Sequence, residues 1–100
     1  MFWVQLTQNF QDWLDALKDK SAQVRIAARL RLAEAGNLGD WKPVGGELSE
    51  MRVAVGPGYR LYFTRRGNVL IIMLAGGDKS SPRRDITRAQ RILSLLELDT

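Results

Sequence analysis

Two arginines on neighbouring predicted strands are the residues of this sequence best suited to bind an anion. Residues 50–63 form two alternating segments joined by Gly-Pro-Gly, so apolar side chains share one face and polar side chains the other. With the turn centred on the proline, Arg52 lies opposite Tyr62. Arg60 then lies opposite Ala54, and the two arginines are diagonal neighbours within ~8 Å. Their guanidiniums repel and cannot lose a proton, so a phosphate would relieve the repulsion.

The same hairpin also has an ordinary structural interpretation. Arginine and tyrosine are common on the solvent face of an antiparallel hairpin, and Glu50 or another carboxylate could neutralise either arginine. The hairpin pattern by itself therefore leaves open whether this face binds a ligand or is only solvated.

The composition limits the chemistry that is available. The chain has no cysteine and no histidine, so it lacks disulfides, thiolate ligands and the usual general base. Catalysis would have to use carboxylates, tyrosine, lysine, arginine or groups of the substrate. Residues 1–50 hold six Lys or Arg against seven Asp or Glu, whereas residues 51–100 hold nine against four, a net charge of +5. This basic half favours nucleic acid or an acidic protein as partner, although basic surfaces also serve solubility alone.

A length of 100 residues predicts a single domain spanning residues 1–100. The longest apolar run, Val69–Ala75, is too short to span a bilayer, and polar residues interrupt the N-terminal apolar stretch. We therefore expect a soluble cytoplasmic protein with no membrane partner.

Apolar periodicity in the first half predicts a strand followed by two helices. Residues 2–6 suit a strand, and Thr7 suits the N-cap of a helix whose apolar residues recur at helical spacing. Ser21 is the expected N-cap of the second helix, which ends at Gly36 because glycine readily adopts the left-handed conformation. The arginines expected to form solvated faces of this second helix are Arg25, Arg29 and Arg31.

The second half predicts strands and then a helix. Residues 41–44 suit an edge strand, because Pro43 cannot donate to a central ladder, and the hairpin of residues 50–63 follows. Residues 69–75 are apolar on both faces and suit a strand in the middle of the sheet, ended by the two glycines that come next.

A final helix completes the predicted fold. Ser81 suits its N-cap and Pro82 its first position. Its buried stripe comprises Ile86, Ala89, Leu93 and Leu96. The order β-α-α-β-β-β-β-α predicts an α+β domain with a mostly antiparallel sheet covered on one face by the helix pair.

Four segments in this order resemble the RelE/ParE toxin superfamily, and in particular its HigB-like branch of addiction module killer proteins. The segments are Gly36–Asp40, Glu50–Val53, Gly56–Phe63 and Leu74–Ser80. The resemblance implies a RelE-like fold and the toxin of a type II toxin–antitoxin system, neutralised by a cognate antitoxin. In this branch the antitoxin is typically a helix-turn-helix protein that binds its own operator, so the toxin reaches operator DNA only through the antitoxin.

The resemblance also implies a reaction that uses no metal and no cofactor. RelE-like members cleave mRNA in the ribosomal A site: the ribose 2′-OH attacks the adjacent phosphate, and the 5′-oxygen leaves. By position, Arg60 would stabilise the phosphorane, and Lys79 would stabilise charge or protonate the leaving group. Arg52 would hold the scissile phosphate or influence the attacking hydroxyl. The implied partners are therefore the ribosome and mRNA.

The sequence departs from the family pattern in its acid–base groups. Some relatives have a tyrosine beyond the last strand, where this chain has Arg84-Asp85-Ile86, and others use histidine. Asp85 is a candidate base, but a first-turn carboxylate is also favoured by the helix dipole. Tyr62 could stack on a base or donate its hydroxyl, or simply pack against Arg52. The other residues expected to contact RNA are Arg65, Arg66, Arg83 and Arg84, although a disordered turn would explain Arg65 and Arg66 equally well.

Two other functions agree with the same resemblance. ParE members inhibit DNA gyrase without cutting anything, and a degenerate toxin could serve only as an antitoxin-binding co-repressor. The cations Arg52, Arg60 and Lys79 favour the nuclease, because a cluster of cations suits a phosphate better than a protein helix. The superfamily resemblance does not choose among the three.

Overall fold

The structure, a computed structural model, describes the backbone of residues 1–98 and the side chains of residues 1–96. Within this range the elements follow the order predicted from the sequence. They are β1 (Trp3–Leu6), α1 (Gln8–Asp15), α2 (Lys20–Glu34), β2 (Trp41–Gly45), β3 (Leu48–Val53), β4 (Tyr59–Arg66), β5 (Leu70–Asp78) and α3 (Pro82–Leu98). The α+β class is confirmed, and the architecture is compatible with a RelE-like fold.

The strands form one sheet in the order β1-β5-β4-β3-β2. β1 runs parallel to β5, and the other neighbouring strands are antiparallel. β5 lies inside the sheet between β1 and β4, as its apolar residues on both faces predicted. β2 contains Pro43 and forms an edge, where a missing N–H is tolerated.

Helices cover both faces of the sheet. The pair α1–α2 covers one face, as predicted, and α3 packs on the other against β4 and β5. The larger buried residues between the sheet and the pair α1–α2 include Phe10, Ile26, Met51, Leu61, Phe63 and Met73. Those between the sheet and α3 include Leu48, Tyr62, Ile72, Leu74, Ile92 and Leu93. The polar face of the β3–β4 hairpin is therefore partly covered by α3 rather than open to solvent.

The helix caps confirm one prediction and correct another. Thr7 caps α1, its hydroxyl accepting a hydrogen bond from the Phe10 backbone N–H at 3.2 Å. Ser21 was expected to cap α2, but Asp19 does so, because its carboxylate accepts from the backbone N–H groups of both Ser21 and Ala22. No helix in the described part of the chain is long and apolar enough to cross a membrane.

The register of the β3–β4 hairpin differs from the prediction. Arg52 pairs directly with Arg60, and Glu50 rather than Arg52 pairs with Tyr62. The difference arises because β3 ends at Val53 and the loop closes as a turn, with the Gly58 N–H bonded to the Val55 carbonyl at 3.0 Å. The two arginines are therefore immediate cross-strand neighbours rather than diagonal ones.

β5 continues through the two glycines that were expected to end it. Tyr62 pairs with Ala75 and Phe63 with Met73, so Leu74 is an extra residue that forms a β-bulge. Leu74 and Ala75 both pack against α3. Each later residue of β5 therefore faces the side of the sheet opposite to the one that strict alternation would give it. As a result Gly76 faces Trp13 of α1, and Gly77 faces Asp85 of α3.

The glycine pair is needed for close packing rather than for a turn. A Cβ on Gly76 would lie 2.3 Å from the Trp13 indole, and one on Gly77 would lie 2.1 Å from Asp85 Oδ2. Two helices thus approach the end of β5 from opposite faces because neither glycine has a side chain.

Candidate functional site

A buried carboxylate lies at the centre of the candidate site. Glu50 is only 1% exposed. Its Oε1 lies 3.1 Å from Arg52 Nε and 3.8 Å from Lys42 Nζ, and its Oε2 lies 3.7 Å from Arg60 Nη1. Lys42 reaches it from β2 and Arg60 from β4, so three adjacent strands build this cluster. Burial of the carboxylate is tolerated because the cations compensate its charge.

Glu50 explains how two arginines can face each other across the sheet. It takes the place of the external anion in relieving their repulsion, which is the structural alternative left open by the sequence. Arg52 Nε donates to the carboxylate at hydrogen-bond distance, whereas Arg60 is too far away for a direct bond. The side chains of Arg52 and Arg60 remain 42% and 27% exposed. Both guanidiniums therefore keep donors that can reach a ligand from solvent.

Arg52, Arg60 and Lys79 line one cavity of about 190 Å³, which we call the cation cavity. Its remaining lining residues are Asp40, Val53, Ala54, Gly58 and Tyr59. The three cations outnumber the two nearby carboxylates, which are Asp40 in the lining and Glu50 behind two of the cations, so an excess of positive charge remains. The arrangement can hold a phosphate or another compact anion.

Lys79 is held at the cavity by the loop that follows β5. The Asp78 carboxylate accepts hydrogen bonds from the Ser80 backbone N–H and hydroxyl, and these bonds lower the pKa of Asp78. The resulting tight turn presents Lys79 beside Gly58, where a Cβ would lie 3.6 Å from the lysine Cδ. An exposed lysine is thus positioned by its neighbours rather than by its own contacts.

Arg29 of α2, expected on a solvated face, is a structural arginine. Its guanidinium donates to the Arg52 carbonyl at 2.6 Å and to the Leu38 carbonyl at 2.9 Å. It also packs against Gly39, where a Cβ would lie 2.7 Å from Arg29 Nη2. Arg29 therefore ties the end of β3 to the loop before β2, and it fixes the backbone that carries Arg52. No sequence signal separated this arginine from its solvated neighbours.

Tyr62 lies beneath α3 and is fully buried. Burial raises the pKa of Tyr62 to about 12, the charges of Glu50 and Asp85 act in the same direction, and Arg60 opposes them. The guanidinium of Arg60 lies near the phenol, yet no aligned hydrogen bond to the hydroxyl is formed. The ring of Tyr62 is therefore not available for stacking in this structure, and its hydroxyl remains protonated at neutral pH.

Asp85, the candidate base, is buried in the first turn of α3. Its Oδ1 accepts from Arg88 Nη2 at 3.2 Å, and its Oδ2 accepts from the Ser81 hydroxyl at 3.2 Å. The same Arg88 nitrogen donates to the Gly76 carbonyl at 3.0 Å. Asp85 lies outside the cation cavity, and its contacts connect α3 to the end of β5.

Comparison with known proteins agrees with this architecture. Residues 12–94 match the family model described as phage derived protein Gp49-like (DUF891). The chain belongs to this Gp49-like family. It is also 39% identical over 95 residues to an uncharacterized protein of Haemophilus influenzae (strain Rd), covering 95% of this chain and 96% of that protein. The Gp49-like family is associated with RelE-like toxins of toxin–antitoxin systems, which agrees with the coarser part of the resemblance.

The arginines of this Gp49-like chain that were expected to contact RNA lie in two separate places. Arg65 and Arg66 end β4, and Arg66 is six residues from Arg60, about 20 Å along the strand. Arg65 bonds Gly67 and Asn68 and lies over the Phe2 ring. The structure therefore does not bring this pair to the cation cavity.

Arg83 and Arg84 lie on the exposed side of α3. Together with Thr87, Arg88 and Arg91 they line an open groove of about 490 Å³. Within the described residues, the ion pair of this group joins Arg88 to Asp85. Four arginines line this one groove, and their positive charge favours a polyanion.

Proposed function

We propose that this protein is the toxin of a type II toxin–antitoxin system and a metal-independent endoribonuclease that cleaves ribosome-bound mRNA. The observation that carries the proposal is the convergence of Arg52, Arg60 and Lys79 on one cavity. Membership of a family associated with RelE-like toxins supports it. The reaction is attack of a ribose 2′-OH on the adjacent phosphate, with departure of the 5′-oxygen.

Each cation has a distinct task in this reaction. Arg60, which is partly exposed and not directly bonded to Glu50, donates to the oxygens of the phosphorane as their negative charge develops. Arg52 holds the scissile phosphate, because its Nε is fixed by Glu50 and its other donors are free to turn outward. Lys79 stabilises the leaving 5′-oxygen or donates a proton to it.

The proton acceptor for the 2′-OH is assigned by location. Glu50 is buried among cations, and Asp85 is buried and bonded to Arg88 and Ser81. Asp40 is the carboxylate residue among those that line the cation cavity. We therefore assign the base to Asp40, and Asp85 to holding α3 and Arg88 in place.

A wider contact with RNA is made by the groove along α3, which we call the α3 groove and which is lined by Arg83, Arg84, Thr87, Arg88 and Arg91. Its arginines would bind backbone phosphates of the mRNA or the ribosome without reading sequence. If Arg84 and Arg91 each contact one phosphate, the double change Arg84→Ala/Arg91→Ala should weaken ribosome binding and reduce the slope of log K against log salt by about 1.4–1.8. Arg25→Ala, on the exposed side of α2, is the matched control and should leave the slope unchanged.

Primer extension on mRNA in a translation extract tests the proposed function. Purified protein should produce discrete cuts that appear only when ribosomes translate the message, and a cognate helix-turn-helix antitoxin should abolish them. Growth inhibition relieved by the antitoxin but without any mRNA cut would refute the nuclease. If the protein instead blocks supercoiling by DNA gyrase, the ParE-like alternative holds. Harmlessness in both assays together with antitoxin binding would indicate a co-repressor.

A further inference from the structure

A second cavity, of about 290 Å³, lies at the open edge of β5. β1 pairs only with the first part of β5, residues 70–73, so the rest of that edge is flanked by α1 and α3 instead of a strand. We call this cavity the edge pocket. Its lining residues are Asn9, Asp12, Trp13, Ala75, Gly76 and Arg88. Arg88 also lines the groove along α3, and the other five residues have no role in the proposed function.

The apolar wall of the edge pocket is the closely packed indole of Trp13. The Trp13 indole lies directly on Gly76, where even a Cβ would approach within 2.3 Å. Its ring also contacts Phe10 at a centroid distance of 5.6 Å and Tyr59 at 6.1 Å. A flat aromatic wall held in this way can receive a planar ligand without first being ordered.

The edge pocket has one negatively charged side chain, Asp12, and one positively charged side chain, Arg88. Asp12 Oδ1 accepts a hydrogen bond from Gln8 Nε2 at 2.8 Å, and each carboxylate oxygen has two lone pairs, so both oxygens can still accept from a ligand. Arg88 is anchored through Nη2 on Gly76 and Asp85, which leaves its other N–H groups to donate. Asn9 adds an amide that can do either. The pocket therefore offers acceptors and donors next to an aromatic wall.

Among planar biological ligands, guanine matches this set of groups best. Its N1–H and N2–H₂ donors face one carboxylate side by side, and its O6 and N7 acceptors suit a guanidinium. Adenine would place its N1 acceptor against the carboxylate, and cytosine would do the same with N3. Uracil offers a single N–H donor. We infer that the edge pocket binds a guanine base of single-stranded RNA, with Asp12 reading its Watson–Crick edge and Arg88 its acceptors.

The edge pocket is close enough to the cation cavity to hold a neighbouring nucleotide. Gly76 precedes Gly77, which is the cross-strand partner of Arg60. Two strand spacings, roughly 10 Å, separate the open edge of β5 from the β3 side of β4, a distance that a dinucleotide can bridge. Arg88 of the edge pocket bonds Asp85, and the Asp85 carboxylate packs against Gly77. The assignment rests on the proposed function, and it adds a preference for guanine near the cleaved phosphate.

Nuclear magnetic resonance of the full chain can test guanine binding without ribosomes. The chain has three tryptophans, so its ¹H–¹⁵N spectrum contains three indole N–H signals, and Trp13→Phe identifies that of Trp13. GMP, AMP, CMP and UMP are titrated in parallel with inorganic phosphate. GMP should shift the Trp13 indole signal in a saturable way, and the other four ligands should shift it little. No shift with any nucleotide, or equal shifts with all of them, would overturn the assignment.

A matched pair of carboxylate variants sharpens the test. Asp12 and Asp15 lie on the same helix, and each accepts a hydrogen bond from the glutamine four residues before it. Asp12→Asn should weaken GMP binding at least about tenfold, the scale of a lost hydrogen bond to a charged group. Asp15→Asn, which lies outside the pocket, should change it less than about twofold. Equal effects of the two variants would also overturn the assignment.

Cleavage assays separate the failure of this assignment from failure of the proposed function. If GMP binds through Asp12 but mRNA is never cut, the edge pocket is supported and the nuclease is refuted. If mRNA is cut and GMP does not bind, the nuclease stands and the edge pocket is wrong. When both hold, Asp12→Asn should redistribute the cut sites away from guanine, while Asp15→Asn keeps the original pattern.

Discussion

Arg52 and Arg60 pair directly across β3 and β4, and both lie against the buried carboxylate of Glu50. An arrangement of two like charges on adjacent strands is unfavourable unless a counter-ion is close. Glu50 supplies that counter-ion from within the sheet, and it leaves both guanidiniums partly exposed toward the cation cavity. The same contacts thus compensate the two like charges and leave both guanidiniums at the cation cavity.

Removing the charge of Glu50 should destabilise the fold. We expect Glu50→Gln to lower the free energy of unfolding by about 1.5–3 kcal/mol, because the arginines lose their shared counter-ion and Arg52 loses a charged hydrogen bond. Urea denaturation measures the change. Glu47→Gln, an exposed carboxylate just before β3, is the control and should stay within about 0.5 kcal/mol of the wild type.

Inorganic phosphate should partly replace the missing carboxylate. It should raise the melting temperature of the Glu50→Gln protein more than that of the wild type, because an anion that binds only the folded state stabilises it. An equal rise in both proteins would contradict the role of Glu50 as the internal counter-ion.

Tyr62 gives the protein a specific weakness at alkaline pH. Because burial raises its pKa to about 12, the folded chain keeps the phenolic proton at a pH where the unfolded chain, with a pKa near 10, has lost it. This contribution to stability is fully present below pH of about 10 and is lost as the pH rises toward 12. Spectrophotometric titration of Tyr59→Phe, which leaves one of the two tyrosines, should show the phenol ionising near 12. Ionisation near 10 in a folded protein would refute this assignment.

Tyr62→Phe separates packing from chemistry at the same position. The hydroxyl is buried without a hydrogen-bond partner, so its removal should leave stability at neutral pH unchanged or raise it by up to about 1 kcal/mol. Ribosome-dependent cleavage should also persist, because the ring lies under α3 and not in the cation cavity. A well-folded Tyr62→Phe protein with no activity would show instead that the hydroxyl reaches the substrate.

The charge at position 60 should decide the rate of cleavage. Arg60→Ala is expected to lower single-turnover mRNA cleavage about 10²-fold or more, the scale for losing one preorganised donor to a charged transition state. Arg60→Lys keeps the charge but not the forked geometry and should recover only part of the rate. Lys79→Ala should behave similarly, with a milder loss if Lys79 only holds substrate.

Folding controls are needed for these cation variants. Circular dichroism and antitoxin binding should match the wild type, and Arg25→Ala on the exposed side of α2 should cleave at the wild-type rate. Wild-type rates for both Arg60→Ala and Lys79→Ala would show that the cation cavity is not the active site.

Gly77 should tolerate no side chain while Asp85 is present. A Cβ there would lie 2.1 Å from Asp85 Oδ2, so Gly77→Ala should cost about 1–3 kcal/mol of stability through overpacking. In Gly77→Ala/Asp85→Ala the clash is gone, and the double change should cost less than the sum of the two single changes. Strict additivity in urea denaturation would indicate that Asp85 does not pack against β5.

The sequence by itself determined the order of the elements and the residues that could bind a phosphate. Helical spacing in α1, the proline in β2 and the apolar run in β5 are local signals, so they predicted the element types correctly. Arg52 and Arg60 could also be named from the alternation of the hairpin, and Lys79 from the resemblance to RelE-like toxins. Periodicity and turn residues act over a few positions, and they are readable without knowledge of the fold.

Only the tertiary structure decided what surrounds those cations. The register depends on where the Gly-Pro-Gly loop closes, and a change of two positions turned Arg52 and Arg60 from diagonal into direct partners. The bulge at Leu74 reversed the faces on which the last residues of β5 lie, and no local sequence pattern predicted this bulge. Burial of Glu50 and Tyr62 required α3 and three strands to assemble around them. These features come from contacts between residues far apart in the chain, and their energies depend on burial and charge that exist only once the fold has formed.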